Sequence, residues 1–144
     1  MKKTLIAIAF VCSLSSFATE PTVNEKVLDA FNKTFVNVQE VSWSSAAHSY
    51  EVNFKLNDVL TRVTYDKEGN TVKTLRYYGE SGLPIVVLTK VKSAFAGAKI
   101  FGVTELTVGD ETTYHVVLED GKNWLTVKAT PSGQLEKGKT MRKA

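Results

Sequence analysis

Residues able to do chemistry near neutral pH are scarce in this 144-residue chain: two histidines, His48 and His115, and one cysteine, Cys12. A zinc site needs three or four converging nitrogen or sulfur ligands. No cysteine lies near either histidine in the sequence, and the two do not share an equivalent setting. His48 falls in a predicted loop beside Ser49, and His115 on the polar side of a predicted strand, so both read as solvated surface residues. Asp66-Lys67-Glu68-Gly69-Asn70 brings carboxylates together, but a calcium loop spans about twelve residues with alternating oxygen ligands. This shorter run reads as a turn. The chain has no Gly-x-Ser-x-Gly elbow, and Ser81 within Glu80-Ser81-Gly82 reads as linker punctuation. The sequence therefore predicts no catalytic residue, no metal and no cofactor.

The aromatic residues point to contact rather than reaction. Tyr114, Val116 and Leu118 alternate with His115, Val117 and Glu119. Period-two alternation marks a strand with one buried and one wet face. With the register kept through the following turn, Trp124, Thr126 and Lys128 join His115 on the wet face. Leu60 and Arg62 hold the matching positions earlier in the chain. A patch of Leu60, Arg62, His115, Trp124 and Lys128 is the candidate protein-binding surface. A one-residue slip would instead bury Trp124, so its exposure stays open. Trp43 is assigned to the core, because Val41 and Trp43 share parity with Phe101 and Val103.

The elements that must carry this patch form a tandem pattern. Val27-Leu28 and Phe35 align with Val87-Leu88 and Phe95 at a shift of 60, and Tyr50-Glu51-Val52 with Tyr114-His115-Val116 at a shift of 64. A four-residue insertion near residues 104–112 reconciles the two shifts. Repeats of this length imply one supersecondary unit used twice. Each unit opens with a helix. Thr22 and Glu25 form a predicted capping box, and Val27, Leu28, Phe31 and Phe35 an apolar stripe. Pro84 suits the first turn of the second helix, whose stripe is Val87, Leu88, Val91 and Phe95. Gly97 and Asn37 are the predicted helix stops.

Strands follow each helix. Tyr50 to Leu56 alternates, Asn57-Asp58 turns, and Val59 to Tyr65 returns; the second unit turns at Asp120-Gly121 and returns over Asn123–Ala129. Four-residue turns ending in Gly69 and Gly133 lead to final strands at Thr71–Tyr77 and Gln134–Lys137. Shorter strands are expected at Val38–Trp43 and Lys99–Val103. The predicted fold is α+β: two tandem helix-plus-four-stranded antiparallel units, sheets joined or abutting, helices packed on one face. The units are residues 19–77 and 85–144, with residues 78–84 as linker.

The N-terminus reads as an export signal. Met1-Lys2-Lys3 is basic, Leu5 to Leu14 apolar, and Ser16-Phe17-Ala18 places small residues where a signal peptidase reads. Cleavage is expected after Ala18, giving residues 1–18 as signal peptide and a periplasmic location. The apolar run is shorter than the roughly 20 residues a membrane-spanning helix needs, so stable membrane insertion is not expected. Lipidation at Cys12 is disfavoured by Val11, where a small residue is required. Without the leader the chain has sixteen basic and fifteen acidic residues and no cysteine. It must fold without disulfides, and its charge balance argues against a nucleic-acid partner.

Phe35-Val36-Asn37-Val38 running into Val41-Ser42-Trp43, then Tyr50-Glu51-Val52 and Tyr65-Asp66-Lys67-Glu68-Gly69-Asn70, together with Leu83-Pro84 and Tyr114-His115-Val116-Val117-Leu118, carry a resemblance. The chain resembles the beta-lactamase-inhibitor-like, PepSY-like secreted proteins over roughly residues 24–140. The resemblance implies a duplicated helix-and-four-strand unit and supplies no catalytic residues. It differs from the inhibitor itself, which the resemblance gives disulfides. The expected function is an exported non-enzymatic binding module contacting a protein or peptide through its open sheet face. Small-ligand binding, and peptidase or beta-lactamase inhibition, are the alternatives.

Overall fold

The structure is a computed structural model that describes residues 21–144. The signal peptide, its cleavage point and Cys12 lie outside the described residues. Two ten-residue helices, α1 (Glu25–Thr34) and α2 (Ile85–Ala94), accompany eight strands. These are β1 (Gln39–Ser45), β2 (Ser49–Leu56), β3 (Val59–Asp66), β4 (Thr71–Tyr78), β5 (Lys99–Val108), β6 (Glu111–Asp120), β7 (Asn123–Ala129) and β8 (Leu135–Arg142). All eight pair in chain order into a single antiparallel sheet. The class is α+β, with one continuous sheet where separate four-stranded sheets were also allowed.

Local chemistry sets each boundary. Asn24, not Thr22, caps α1: its side-chain oxygen accepts from the Val27 N–H at 3.1 Å, and its Nδ2 donates to the Lys67 carbonyl at 2.7 Å. Asn caps as well as Thr does, and here the same side chain also ties the helix start to the β3–β4 turn. Pro84 stands one position before α2 rather than inside its first turn. Asn37 and Gly97, the predicted stops, take positive φ of 57° and 87°. Asn57 and Asp58, both with positive φ, make the two-residue hairpin. The β6–β7 hairpin turns one residue later than expected, on Gly121 and Lys122, with Asp120 still paired to Asn123.

In the β3–β4 turn the Asp66 carboxylate bonds within the turn itself: it accepts from the N–H groups of Glu68 and Asn70 and from Asn70 Nδ2. The Asn70 side chain, then its backbone, hold that carboxyl below its usual range. Gly69 closes the turn at φ 91°, where a Cβ would stand 2.8 Å from the Lys26 carbonyl oxygen. Gly133 closes the β7–β8 turn at φ 83°, with a Cβ position 2.9 Å from Lys90.

Two apolar clusters hold the helices. Val27 and Phe31 of α1 join Val52, Phe54, Val63 and Tyr65. Phe31 meets Trp43 edge-on at 5.3 Å and Phe54 at 5.2 Å, so Trp43 does pack on the core. Val87 and Val91 of α2 join Val103, Val116, Leu118, Leu125 and Val127, among others. The cross-strand rows place the strand residues of both clusters on the same sheet face. Between the clusters that face turns polar, with Thr74, Arg76, Glu105 and Thr107 paired across β4 and β5. Arg76 Nη1 reaches both Glu105 oxygens at 3.2 and 3.4 Å, and the Tyr78 hydroxyl donates to Glu105 at 2.5 Å.

Burial, and then the Glu105 carboxylate, push the Tyr78 phenol far above its ordinary value. Burial raises Tyr65 and Tyr114 too. An unfolded tyrosine ionises near pH 10, so the folded chain then holds protons that the unfolded chain gives up. The contribution of these phenols is complete below about pH 10 and is lost as pH rises above it. Urea unfolding repeated across that range should show falling stability, with a shallower fall in Tyr78→Phe.

Two substitutions test the packing. Phe31→Ala should cost about 3–5 kcal/mol in the same assay, the range for truncating a core aromatic. Gly69→Ala should cost more than about 1 kcal/mol, because the turn needs a positive φ.

Candidate protein-binding face

The register decides where the five candidate residues stand. Leu60, Tyr77, Thr104, His115, Lys128 and Glu136 form one cross-strand row from β3 to β8. The row lies on the face opposite the two helices, since its neighbours Thr61, Val63, Val116 and Val127 are buried on the other side. Leu60, His115 and Lys128 are thus brought into line. Leu60 is 44% exposed, His115 half-buried and Lys128 exposed. Arg62 sits two residues along β3 from Leu60; its Nε donates to Asn53 Oδ1 at 2.7 Å and lies 3.5 Å from Glu51.

Trp124 is on this same face but at the other end of the sheet, opposite Glu119 and Met141. It lies four strands from Arg62 and is offset by six residues along the strand direction. At about 4.8 Å per strand and 3.3 Å per residue, the separation is on the order of 25 Å. The structure therefore does not gather the five residues into one spot. Trp124 forms its own cluster instead. Phe101 packs edge-on against its ring at 4.8 Å, and the Lys143 Nζ stands 4.9 Å from the ring centroid. Lys143 also bonds Glu119 at 2.5 Å and the Gly121 carbonyl at 2.7 Å. That hydrogen bond, and then the lysine charge, hold the Glu119 carboxyl below its usual range.

Phe101 is the residue that parity misplaced. Alternation with Val103 assigns it to the core, yet it is 65% exposed while Val103 is buried. The reason is a register shift between Ile100 and Gly102, which breaks the period of two and turns Phe101 toward Trp124. A shift between Gln39 and Ser42 leaves Val41 43% exposed while Trp43 packs inward. The legible signal was Gly102, since glycine inside a strand often marks a bulge. Met141, 56% exposed beside Trp124, was missed because β8 continues to Arg142 rather than stopping at Lys137.

The face offers contact chemistry: aromatic rings, aliphatic side chains and paired charges. His115 has Thr104 and Lys128 as row neighbours, neither of which is an acid that would orient it as a base. Two open surface recesses are bounded by mixed side chains, one of about 420 Å³ by Asp110, Glu111, Thr113 and Lys128, another of about 270 Å³ by Ser44, Ser45, Glu51 and Lys73. Among the described residues no group of three or more His, Cys, Asp or Glu could hold a metal ion, and no helix is long and apolar enough to cross a membrane.

Replacing Phe101 by alanine should change stability by less than about 1 kcal/mol, in contrast with Phe31, because its ring is mostly in water already. Paired urea titrations of the two variants check this.

No family model matches the chain, and no curated protein matches it. Solved structures do. A BLIP-like protein from Bacteroides fragilis NCTC 9343 aligns with TM-score 0.67 at 20% identity, covering 86% of this chain and 90% of that one. A DUF2874 family protein from Bacteroides ovatus ATCC 8483 gives 0.65 at 22% identity, covering 85% and 89%. A protein from Bacteroides eggerthii DSM 20697, provisionally assigned to the periplasm, gives 0.63 at 17% identity, covering 85% and 90%. Over nearly all of its described length, this chain has the fold of the BLIP-like and DUF2874 proteins.

Proposed function

We propose that this chain is an exported, non-enzymatic binding module that engages a protein or peptide through the sheet face turned away from its helices. The observation that carries this reading is a sheet face bearing large apolar groups that the described residues leave exposed. Leu60 is 44%, Phe101 65% and Met141 56% exposed there, while the buried residues of both helices serve the other side. Isolated exposed side chains are normal, but an aromatic pair flanked by charges matches the anatomy of a binding patch. The Phe101–Trp124 pair is one anchor, and the Leu60–Arg62 end of the same face the other. Export rests on the three-part leader, and the provisional periplasmic assignment of one fold neighbour agrees with it.

The module is, on this reading, a tandem duplicate of residues 19–77 and 85–144 joined by 78–84. Matching registers support it. Gln39↔Lys55, Trp43↔Val52 and Val52↔Val63 recur as Lys99↔Glu119, Val103↔Val116 and Val116↔Val127. The turn glycines agree as well: Gly69 abuts Lys26 and Ala30, and Gly133 abuts Val86 and Lys90, a shift of 60 on the helix.

Affinity capture from the native envelope tests the face. Two double variants, Phe101→Ala with Trp124→Ala and Leu60→Ala with Arg62→Ala, should keep the parent melting temperature. At least one should lose the captured partner by about thirtyfold or more, as truncation of a hot-spot aromatic or arginine costs at least about 2 kcal/mol. Parental binding by both variants would rule out the sheet face.

A further inference from the structure

A separate surface lies at the end of the sheet. β8 is the last strand of the order, so among the described residues one side of its backbone has no partner strand. Every residue of it after Leu135 is exposed. An unpaired strand edge is a template for another chain, and basic side chains are a common means of blunting it. Here basic charge is concentrated: β8 carries Lys137, Lys139 and Arg142 against Glu136 alone, with Lys122 in the turn before β7, Lys128 on β7 and Lys143 paired with Glu119 close by. Residues 21–121 carry ten basic and thirteen acidic side chains, so the basic excess belongs to residues 122–144, with β8 as its edge. The opposite edge, β1, has Glu40 as its one charged residue.

Charge selects what could pair with β8. A second copy would bring Lys137, Lys139 and Arg142 against themselves, and like charges across paired strands are destabilising. An acidic strand meets the reverse situation. It also finds an apolar contact, because Met141 is 56% exposed and adjoins Trp124 on the outer face. We propose that β8 is a strand-addition site for an extended acidic segment of a partner protein, with apolar side chains at alternate positions. Main-chain hydrogen bonds would supply affinity and the basic edge the selectivity. This site is distinct from the face proposed above and stands or falls without it.

Calorimetric titration of the mature protein tests it with three eight-residue peptides. One alternates glutamate with valine, one alternates lysine with valine, and the third is the glutamate peptide N-methylated at alternate residues. The first should bind, more weakly as salt rises, and the other two should bind at least about tenfold more weakly. Lys137→Glu combined with Lys139→Glu should weaken the glutamate peptide by a similar factor with an unchanged melt, since both side chains are exposed. Equal binding of the N-methylated peptide would reduce the site to charge attraction without strand addition. Equal binding of the lysine peptide, or binding to phosphatidylglycerol vesicles with none to the glutamate peptide, would overturn the proposal. The peptide comparison uses the unaltered protein and does not depend on how the double variant folds.

Discussion

Pairing between β4 and β5 joins what would otherwise be two small clusters into one sheet. Lys73 to Tyr78 run against Val108 to Val103 without a break. A strand left unpaired there would expose its N–H and C=O groups twice, once on each side of the junction. β5 runs ten residues where β1 runs seven. Its added length, Leu106 to Val108, extends the ladder that Val103 to Glu105 begin along β4. The sheet then has two edges instead of four.

That junction also explains why the helix-side face changes character at its middle. The helices bury their apolar residues in separate clusters, Val27 and Phe31 of α1 in one and Val87 and Val91 of α2 in the other, and the α2 cluster reaches the β4–β5 seam at Tyr78 and Val103. Apolar side chains placed between the two clusters would stay wet. The chain puts Thr74, Arg76, Glu105 and Thr107 there instead. Glu105 accepts from both Arg76 and Tyr78, so its carboxylate is neutralised in charge and satisfied in hydrogen bonds. An isolated surface ion pair contributes little. This one is part of a network that includes the Arg76 guanidinium 5.4 Å above the Tyr78 ring, and its value is in making a polar seam compatible with a continuous sheet.

Elements with a strong period and unambiguous turn chemistry were legible in the sequence. Tyr50 to Leu56 and Tyr114 to Leu118 alternate without interruption, and the structure pairs them with no register shift against β3 and β7. Asn37 and Gly97 signalled helix ends through the one conformation they tolerate better than other residues. The cap of α1 was less legible, because Thr22 and Asn24 both carry capping side chains. What selects Asn24 is a contact 43 residues away with Lys67, which no local pattern contains. The sequence places the last strand at Gln134–Lys137, while the ladder with β7 continues to Arg142.

The candidate face failed to read cleanly for a related reason. Parity is a rule about an unbroken ladder, and a bulge cancels it from that residue onward. The shift between Ile100 and Gly102 sends Phe101 outward and keeps Ile100 and Val103 buried. Without that shift Phe101 would face the core and Trp124 would stand alone above Lys143. With it, the two rings meet edge to face and shield one another from water. The pair stands at the far corner of the sheet, with Trp124 half-buried and Phe101 mostly exposed. Such a pair, held by a bulge and by a lysine bonded to Glu119, is the feature on which the proposed binding face rests.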